Sequence, residues 1–291
     1  MIRLAVVGDP VAHSLSPVLQ RAALAAAGLA GSYTALRVER GRLAERAAEL
    51  EREGFLGLNV TMPLKEEALT LAAAASRRAR RAGAANTLRR RREGGWEAEN
   101  TDVEAVAGAL REAGWPPGPS LILGAGGAAA GAALALGELG APRVVFLARN
   151  RARGERLAAR LAAFYPGTGW EVADWPTGGA AENLQGRGRP AATLLVQATP
   201  LGMEGSGALH PFPPERWLEV LAPGGWVLEM VYRPLRTPLL AAAAERGFRS
   251  VDGLELLLRQ GAASFTYWTG RPAPLRAMRA ALEEVLACSA G

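Results

Sequence analysis

Lys65 is the only lysine among 34 lysine and arginine residues in a chain of 291. Arginine serves as well as lysine for solvation and surface charge, but a guanidinium keeps its proton near neutral pH whereas an ammonium can release one. A lone ammonium is therefore a candidate proton carrier. A composition biased toward arginine, alanine, glycine and leucine could equally leave one lysine behind, so its neighbours decide.

Those neighbours are polar and sit where ligands bind. Asn59-Val60-Thr61-Met62-Pro63-Leu64-Lys65 follows an expected strand and sets an amide, a hydroxyl and the ammonium at one sheet edge. Asparagine occurs only five times and aspartate four, yet Asn59, Asn86, Asn100 and Asn150 all fall at expected strand ends or turns. Asn86-Thr87 and Asn100-Thr101-Asp102 add amides, hydroxyls and one carboxylate, and Ser14-Leu15-Ser16-Pro17 adds two hydroxyls at a helix start. In an open parallel sheet, ligands bind beyond the carboxyl ends of the strands. Together the fragments outline a site for a polyhydroxylated, anionic small molecule. Singly, each also reads as a turn or cap, and Ser16 and Asp102 both fit as helix N-caps.

A second chemistry is written in Gly124-Ala125-Gly126-Gly127-Ala128-Ala129, a G-x-G-x-x-A turn between an expected strand and helix. Such a turn lets backbone amides and a helix N-terminus approach a pyrophosphate. An NAD site places an acidic residue at the end of the next strand. This chain has Arg149-Asn150-Arg151-Ala152-Arg153 there. Arginine recognises a phosphate that a carboxylate would repel, which favours NADP over NAD. The competing reading is a set of arginines heading a solvated helix.

The elements that must position these groups alternate, as in an α/β fold with parallel sheets. The first series has strands near Ile2–Val7, Tyr33–Val38 and Gly57–Thr61, and helices near Pro17–Ala27, Arg42–Arg52 and Leu64–Ala74. A two-stranded excursion over Asn86–Glu99 turns at Gly94-Gly95, and a helix runs from Asp102 to Ala113. Pro116-Pro117-Gly118-Pro119 marks a connection. The second series has strands Leu121–Leu123, Val144–Leu147, Thr193–Gln197 and Trp226–Met230, with helices Ala128–Leu139, Gly154–Ala163 and Leu239–Glu245. Gly178–Pro190 reads as a loop, and helices Leu254–Trp268 and Pro274–Leu286 close the chain.

Composition narrows the function classes. The net charge is +6, but the basic runs Arg77–Arg81 and Arg89–Arg92 carry no interleaved aromatics, and neither zinc-ligand nor helix-turn-helix spacing occurs. This argues against nucleic acid and gives no metal site, while a positive field draws in small anions. The longest apolar stretch, Leu121–Gly137, is glycine-rich and shorter than the roughly 20 residues of a membrane span. Leu4–Gly8 is too short for a signal peptide, and one cysteine, Cys288, permits no internal disulfide. A cytoplasmic protein is expected, with a small-molecule partner, no membrane, and a homodimer left open.

Over nearly its whole length the chain resembles the shikimate dehydrogenase family. The resemblance rests on Ser14-Leu15-Ser16-Pro17, Asn59-Val60-Thr61-x-Pro63-x-Lys65, Ala85-Asn86-Thr87, Asn100-Thr101-Asp102, Gly124 to Ala128 and Asn150-Arg151. It continues through Ala198-Thr199-Pro200-Leu201-Gly202-Met203, Tyr232-x-Pro234-x-x-Thr237-Pro238-Leu239 and Asp252-Gly253-Leu254…Gln260-Gly261-Ala262. It implies NADPH-dependent reduction of 3-dehydroshikimate to shikimate in aromatic amino-acid biosynthesis. It also implies a substrate domain of residues 1–102 and 254–291 with a mixed, mostly parallel sheet. Residues 103–253 would form a Rossmann-like NADP domain, with the final helices returning to the substrate domain.

Carried over by position, Ser14, Ser16 and Tyr232 would hold the substrate carboxylate, and Thr61, Asn86, Asp102 and Gln260 its hydroxyls around Lys65. Gly124, Ala125, Gly126, Gly127 and Ala128 would cradle the pyrophosphate. Asn150, Arg151, Ala152, Arg153, Gly154 and Glu155 would hold the adenosine phosphate, with Thr199, Met230 and Gly253 near the nicotinamide. Three positions depart from the family pattern: Ala130 for a basic residue, Ala152 for threonine and Gln197 for asparagine. All three belong to the cofactor half. Lys65 paired with Asp102 would be the general acid/base, or Asp102 itself with Lys65 as its electrostatic partner. The rival readings are a quinate/shikimate dehydrogenase using NAD and a non-catalytic sensor of the same ligands.

Overall fold

A computed structural model describes residues 1–176, 191–207, 210–211 and 213–289. The loop expected over Gly178–Pro190 lies outside the described residues. The chain divides into two compact units, Met1–Ala105 with Leu257–Gly291, and Val106–Leu256.

The first unit contains β1 (Ile2–Gly8), α1 (Ser16–Ala26), β2 (Gly31–Arg37), α2 (Leu43–Arg52), β3 (Gly57–Val60) and α3 (Lys65–Leu71). Then come β4 (Ala74–Ala75), α4 (Arg77–Ala82), β5 (Thr87–Arg90), β6 (Trp96–Glu99) and the start of α5 (Thr101–Ala113). Its sheet runs β2-β1-β3-β5-β6-β4, with β1 parallel to β2 and β3, and β5 antiparallel to β3 and β6. β1 is apolar and buried from Leu4 to Gly8, where both of its faces are covered, the usual state of a parallel strand. Leu43, Leu50, Leu64, Ala68 and Trp96 pack with Val7, Leu58, Val60 and Leu88 into one core.

The second unit carries β7 (Ser120–Leu123), α6 (Gly127–Leu139), β8 (Arg143–Ala148), α7 (Arg151–Ala162), β9 (Gly169–Asp174) and β10 (Ala192–Gln197). A 3₁₀ helix at Pro214–Val220, β11 (Leu221–Glu229), α8 (Pro238–Glu245) and β12 (Arg249–Val251) follow. The sheet is parallel throughout in the order β12-β11-β10-β7-β8-β9. The strand order reverses between β7 and β10, the switch point at which doubly wound sheets take dinucleotides. α9 (Gly253–Thr269) and α10 (Leu275–Ser289) end the chain, and α10 packs on α1.

Several expectations need correction. The basic run Arg77–Arg81 forms α4, capped by Ser76 Oγ and ended by Gly83 in the left-handed region. The expected helix Leu64–Ala74 stops at Leu71, because the chain leaves it to build β4 beside β6. α7 begins at Arg151 rather than Gly154, since Asn150 Oδ1 accepts from Arg153 N and caps it. β9 and β12 are additions to the expected strands. Ser16 is the first residue of α1 and not its cap: its amide donates to Ser14 Oγ, at 3.2 Å. Asp102 lies in the first turn of α5, one residue inside its start, and is likewise no cap.

Candidate active site

β3 ends at Val60, and the chain then turns into α3, whose first residue is Lys65. A cation at a helix N-terminus opposes the helix dipole, so stability alone would not put it there. Lys65 Nζ instead donates to Asp102 Oδ2 at 2.6 Å, with the two side chains 16% and 9% exposed. The other oxygen, Asp102 Oδ1, accepts from Asn86 Nδ2 at 2.9 Å. Asn86 Oδ1 accepts from Thr101 N at 2.8 Å, so one amide both fixes the start of α5 and aims the carboxylate at its second residue. Gln260 Oε1 stands 3.5 Å from Asn86 Nδ2.

Beneath these groups lies a buried polar layer in which Asn59, Thr87 and Thr101, expected near the site from their place at strand ends, meet Ser264 and Tyr33, which the sequence did not single out. Ser264, one helical turn after Gln260 on α9, donates to Gln260 O at 2.9 Å and accepts from Asn59 Nδ2 at 3.0 Å. Its hydroxyl also meets Thr87 Oγ1 at 2.8 Å and Thr101 Oγ1 at 3.2 Å. Asn59 Oδ1 accepts from Tyr33 OH at 2.7 Å. Polar groups with no solvent must be paired, and this layer pairs them while tying β3, β5, α5 and α9 together. The i, i+4 spacing of Gln260 and Ser264 was the available signal.

The remaining residues of the first unit gather at the carboxyl end of β1. Thr61 N donates to Val7 O at 2.9 Å and Asp9 N to Met62 O at 3.0 Å, and the Thr61 methyl occupies the space a side chain at Gly8 would need. Ser14 and Ser16 follow the same strand; Ser16 is buried and Ser14 half-buried. Tyr232 belongs to the second unit, three residues beyond the end of β11.

In the second unit the glycine turn takes the expected form. Gly124 has φ +106°, open to glycine and strained for other residues. A Cβ there would stand 3.1 Å from Thr199 Cγ2 and 3.2 Å from Ala198 O, so the turn after β7 abuts the segment after β10. Gly126 is the N-cap of α6 and no side chain caps that helix. The first-turn amides have no side-chain acceptor, and the space where a Gly126 Cβ would stand is open, with Arg153 Nη2 at 4.0 Å. These features fit a bound phosphate.

Arg151 pairs with Glu155 Oε1 at 2.9 Å and Asp174 Oδ1 at 2.8 Å, and the Arg149 guanidinium stacks on Trp175 with its carbon 5.1 Å from the ring centroid. Gly154 lets α7 sit against Val172 and Ala148, Ala152 is exposed, and Ala130 is buried within α6. Among the described residues no group of three or more His, Cys, Asp or Glu side chains could hold a metal ion, and no helix is long and apolar enough to cross a membrane.

Comparison with known proteins identifies the chain. Residues 6–88 match the pattern of the "Shikimate dehydrogenase substrate binding domain" and residues 253–283 that of the "Shikimate 5'-dehydrogenase C-terminal domain". The NADP(+)-type shikimate dehydrogenase of Moorella thermoacetica is 40% identical over 291 residues, covering 99% of this chain and 95% of that protein. The chain belongs to the shikimate dehydrogenase family.

Shikimate 5-dehydrogenase of Thermus thermophilus, solved with NADP(H) and shikimate, superposes with a TM-score of 0.80 at 37% identity, covering 98% of this chain and 99% of that one. Quinate dehydrogenase of Corynebacterium glutamicum, solved with NAD, gives 0.79 at 27% identity over 97% and 99% of the two chains. The α/β architecture is the one the sequence resemblance implied. The protein is an enzyme of the shikimate dehydrogenase class, which removes the non-catalytic sensor reading.

Proposed function

We propose that the protein catalyses the reversible, NADPH-dependent reduction of 3-dehydroshikimate to shikimate, with Lys65 as general acid/base and Asp102 as its partner. The observation that carries the catalytic assignment is the Lys65–Asp102 pair, held by Asn86 and screened from most solvent. Bound NADPH supplies the hydride. The Lys65 ammonium gives its proton to the substrate oxygen as the ketone becomes an alcohol, and solvent restores it. Asp102 holds the ammonium in place, and general acid catalysis of this kind contributes about 10²–10⁴ in rate.

Asn86 and Gln260, fixed by the Ser264 layer, bind substrate hydroxyls together with Thr61 and Asp102. Ser14 and Ser16 take the carboxylate. On the cofactor side, Gly124 to Ala128 would receive the pyrophosphate on the uncapped start of α6. Asn150 to Glu155 would take the adenosine phosphate, with Thr199, Met230 and Gly253 beside the nicotinamide. Arg153, close to the turn at Gly126, supports NADP as the preferred form.

The likeness to an NAD-bound quinate dehydrogenase makes quinate with NAD the second reading. Oxidation rates measured with shikimate and quinate, each with NADP and with NAD, test the two. A clear maximum for shikimate with NADP is expected, and a maximum for quinate with NAD replaces this proposal with the second reading.

A further inference from the structure

The ends of β10 and β11 carry two polar side chains with no solvent exposure, Gln197 and Glu229, and these are direct register partners across the parallel pair. Each is spent on the loop that follows its own strand. Gln197 Oε1 accepts from Thr199 N at 2.8 Å and Thr199 Oγ1 at 2.7 Å. Its Nε2 donates to Leu201 O at 2.8 Å and Thr199 O at 3.1 Å, so every polar capacity of the amide is used on three residues of chain.

Glu229 Oε1 accepts from Val231 N at 3.0 Å and Oε2 from Thr237 Oγ1 at 2.9 Å. Thr237 in turn caps α8 through Leu240 N. The Met230–Thr237 segment is thus pinned at both ends. The two loops are tied to each other as well, because Met230 N donates to Gln197 O at 3.0 Å.

Their position in the sheet gives these bonds a functional meaning. A dinucleotide crosses a doubly wound sheet at its switch point, here between β7 and β10, with its pyrophosphate on the glycine turn. One half then lies over β8 and the other over β10 and β11. The arginines after β8 assign the adenosine half to that side. The nicotinamide half therefore faces the loops that Gln197 and Glu229 hold. Thr199 already touches the glycine turn at Gly124, and Gly253 lies so close to the Val231 carbonyl that a side chain there would collide with it.

We propose that Gln197 and Glu229 are a coupled pair of positioning residues that fix the two loops receiving the nicotinamide half of the cofactor. Neither touches the cofactor; Gln197 acts through Thr199 and Glu229 through Val231 and Thr237. The length of the glutamine side chain lets its amide span to Leu201 O while still closing on Thr199. The proposal rests on the dinucleotide reading of the second unit.

The test is calorimetric titration of the full chain with NADP+ and with the adenosine bisphosphate fragment that lacks nicotinamide. Gln197→Leu and Glu229→Ala should each weaken NADP+ binding about tenfold, the effect of leaving buried amides unpaired, while the fragment stays within about twofold of the parent. Retained fragment binding reports an intact fold. Glu229→Gln should keep more NADP+ affinity than Glu229→Ala, since its amide oxygen still accepts from Val231 N. Gln197→Asn, which falls short by one methylene, should weaken NADP+ binding selectively even if the leucine variant does not fold. Equal losses for both ligands, or no loss for either, overturn the proposal. A parent chain that binds neither ligand overturns the dinucleotide reading itself, and the proposal with it.

Discussion

Lys65 Nζ and Asp102 Oδ2 meet at 2.6 Å across 37 residues of sequence, the first residue of one helix against the second residue of another. Each helix start is fixed by a different bond. Lys65 O accepts from Ala85 N at 2.8 Å, and Thr101 N donates to Asn86 Oδ1 at 2.8 Å. The pair is thus braced from the short segment Ala85-Asn86. A partly buried ion pair is a weak device for stability, since desolvation offsets its Coulomb attraction. On the function proposed above, its value lies in holding a transferable proton at a defined point.

The Ser264 hydroxyl is the hub of the layer beneath that pair. Ser264→Ala removes the hydroxyl's bonds to Gln260 O and Thr87 Oγ1 and leaves Asn59 Nδ2 only its longer contacts, at 3.3 Å, to Asn86 O and Thr87 Oγ1. A cost of about 1–3 kcal/mol is expected, the penalty of an unsatisfied buried group. Urea denaturation measures it. The KM for shikimate should rise while that for NADP+ stays near the parent value, a split that a general loss of fold would not give.

Glu229 makes stability depend on pH. Burial, opposed by the bonds from Val231, Thr237 and Met230, pushes its carboxyl up to about 8 from an ordinary 4.5. The unfolded chain therefore loses this proton first as pH rises. The stability contributed by the protonated form is fully present below about 4.5 and is lost as pH rises through about 8. Across that window the melting temperature of the parent should fall relative to Glu229→Gln, whose amide does not titrate. Parallel curves for the two proteins would contradict the assignment.

Arg153 lies beside the glycine turn, its Nη2 4.0 Å from where a Gly126 Cβ would stand, and Arg151 pairs with Glu155 and Asp174. Arg153→Ser should raise the KM for NADP+ by roughly 10- to 100-fold, the scale of the about 1.5–3 kcal/mol carried by a hydrogen bond to a charged group. The KM for NAD+, which lacks the extra phosphate, should change far less. Steady-state kinetics with both nucleotides checks this, and equal effects on the two would remove Arg153 from phosphate recognition.

What the sequence disclosed and what it hid follow from physical causes. Short runs such as Leu4–Val7 and Val144–Leu147 suit parallel strands covered on both faces, and the strand-to-helix turn at Gly124 was legible because its φ of +106° is one that glycine adopts without strain. The helix at Arg77–Ala82 was hidden because four arginines and two alanines carry no apolar periodicity; the Ser76 cap and Gly83 stop hold it. Ser16 looked like a cap from its place before Pro17, but Ser14 two residues earlier reaches its amide. Lys65, Asn86 and Asp102 were legible as scarce polar types next to strand ends, whereas Gln260, inside α9, was reached only through the family resemblance. Asn59 and Thr87 were marked by their place at strand ends, but Tyr33 and Ser264, which pair with them across the sequence, were not, the only trace of Ser264 being its i, i+4 spacing from Gln260.

The most direct test of the account is the turnover of Lys65→Arg in NADPH-linked reduction of 3-dehydroshikimate. The guanidinium keeps the positive charge beside Asp102 but cannot release a proton near neutral pH. A loss of kcat on the order of 10²–10⁴, with a much smaller change in KM, is predicted. A variant that keeps most of its turnover would show that Lys65 contributes charge alone, contradicting its role as the proton donor.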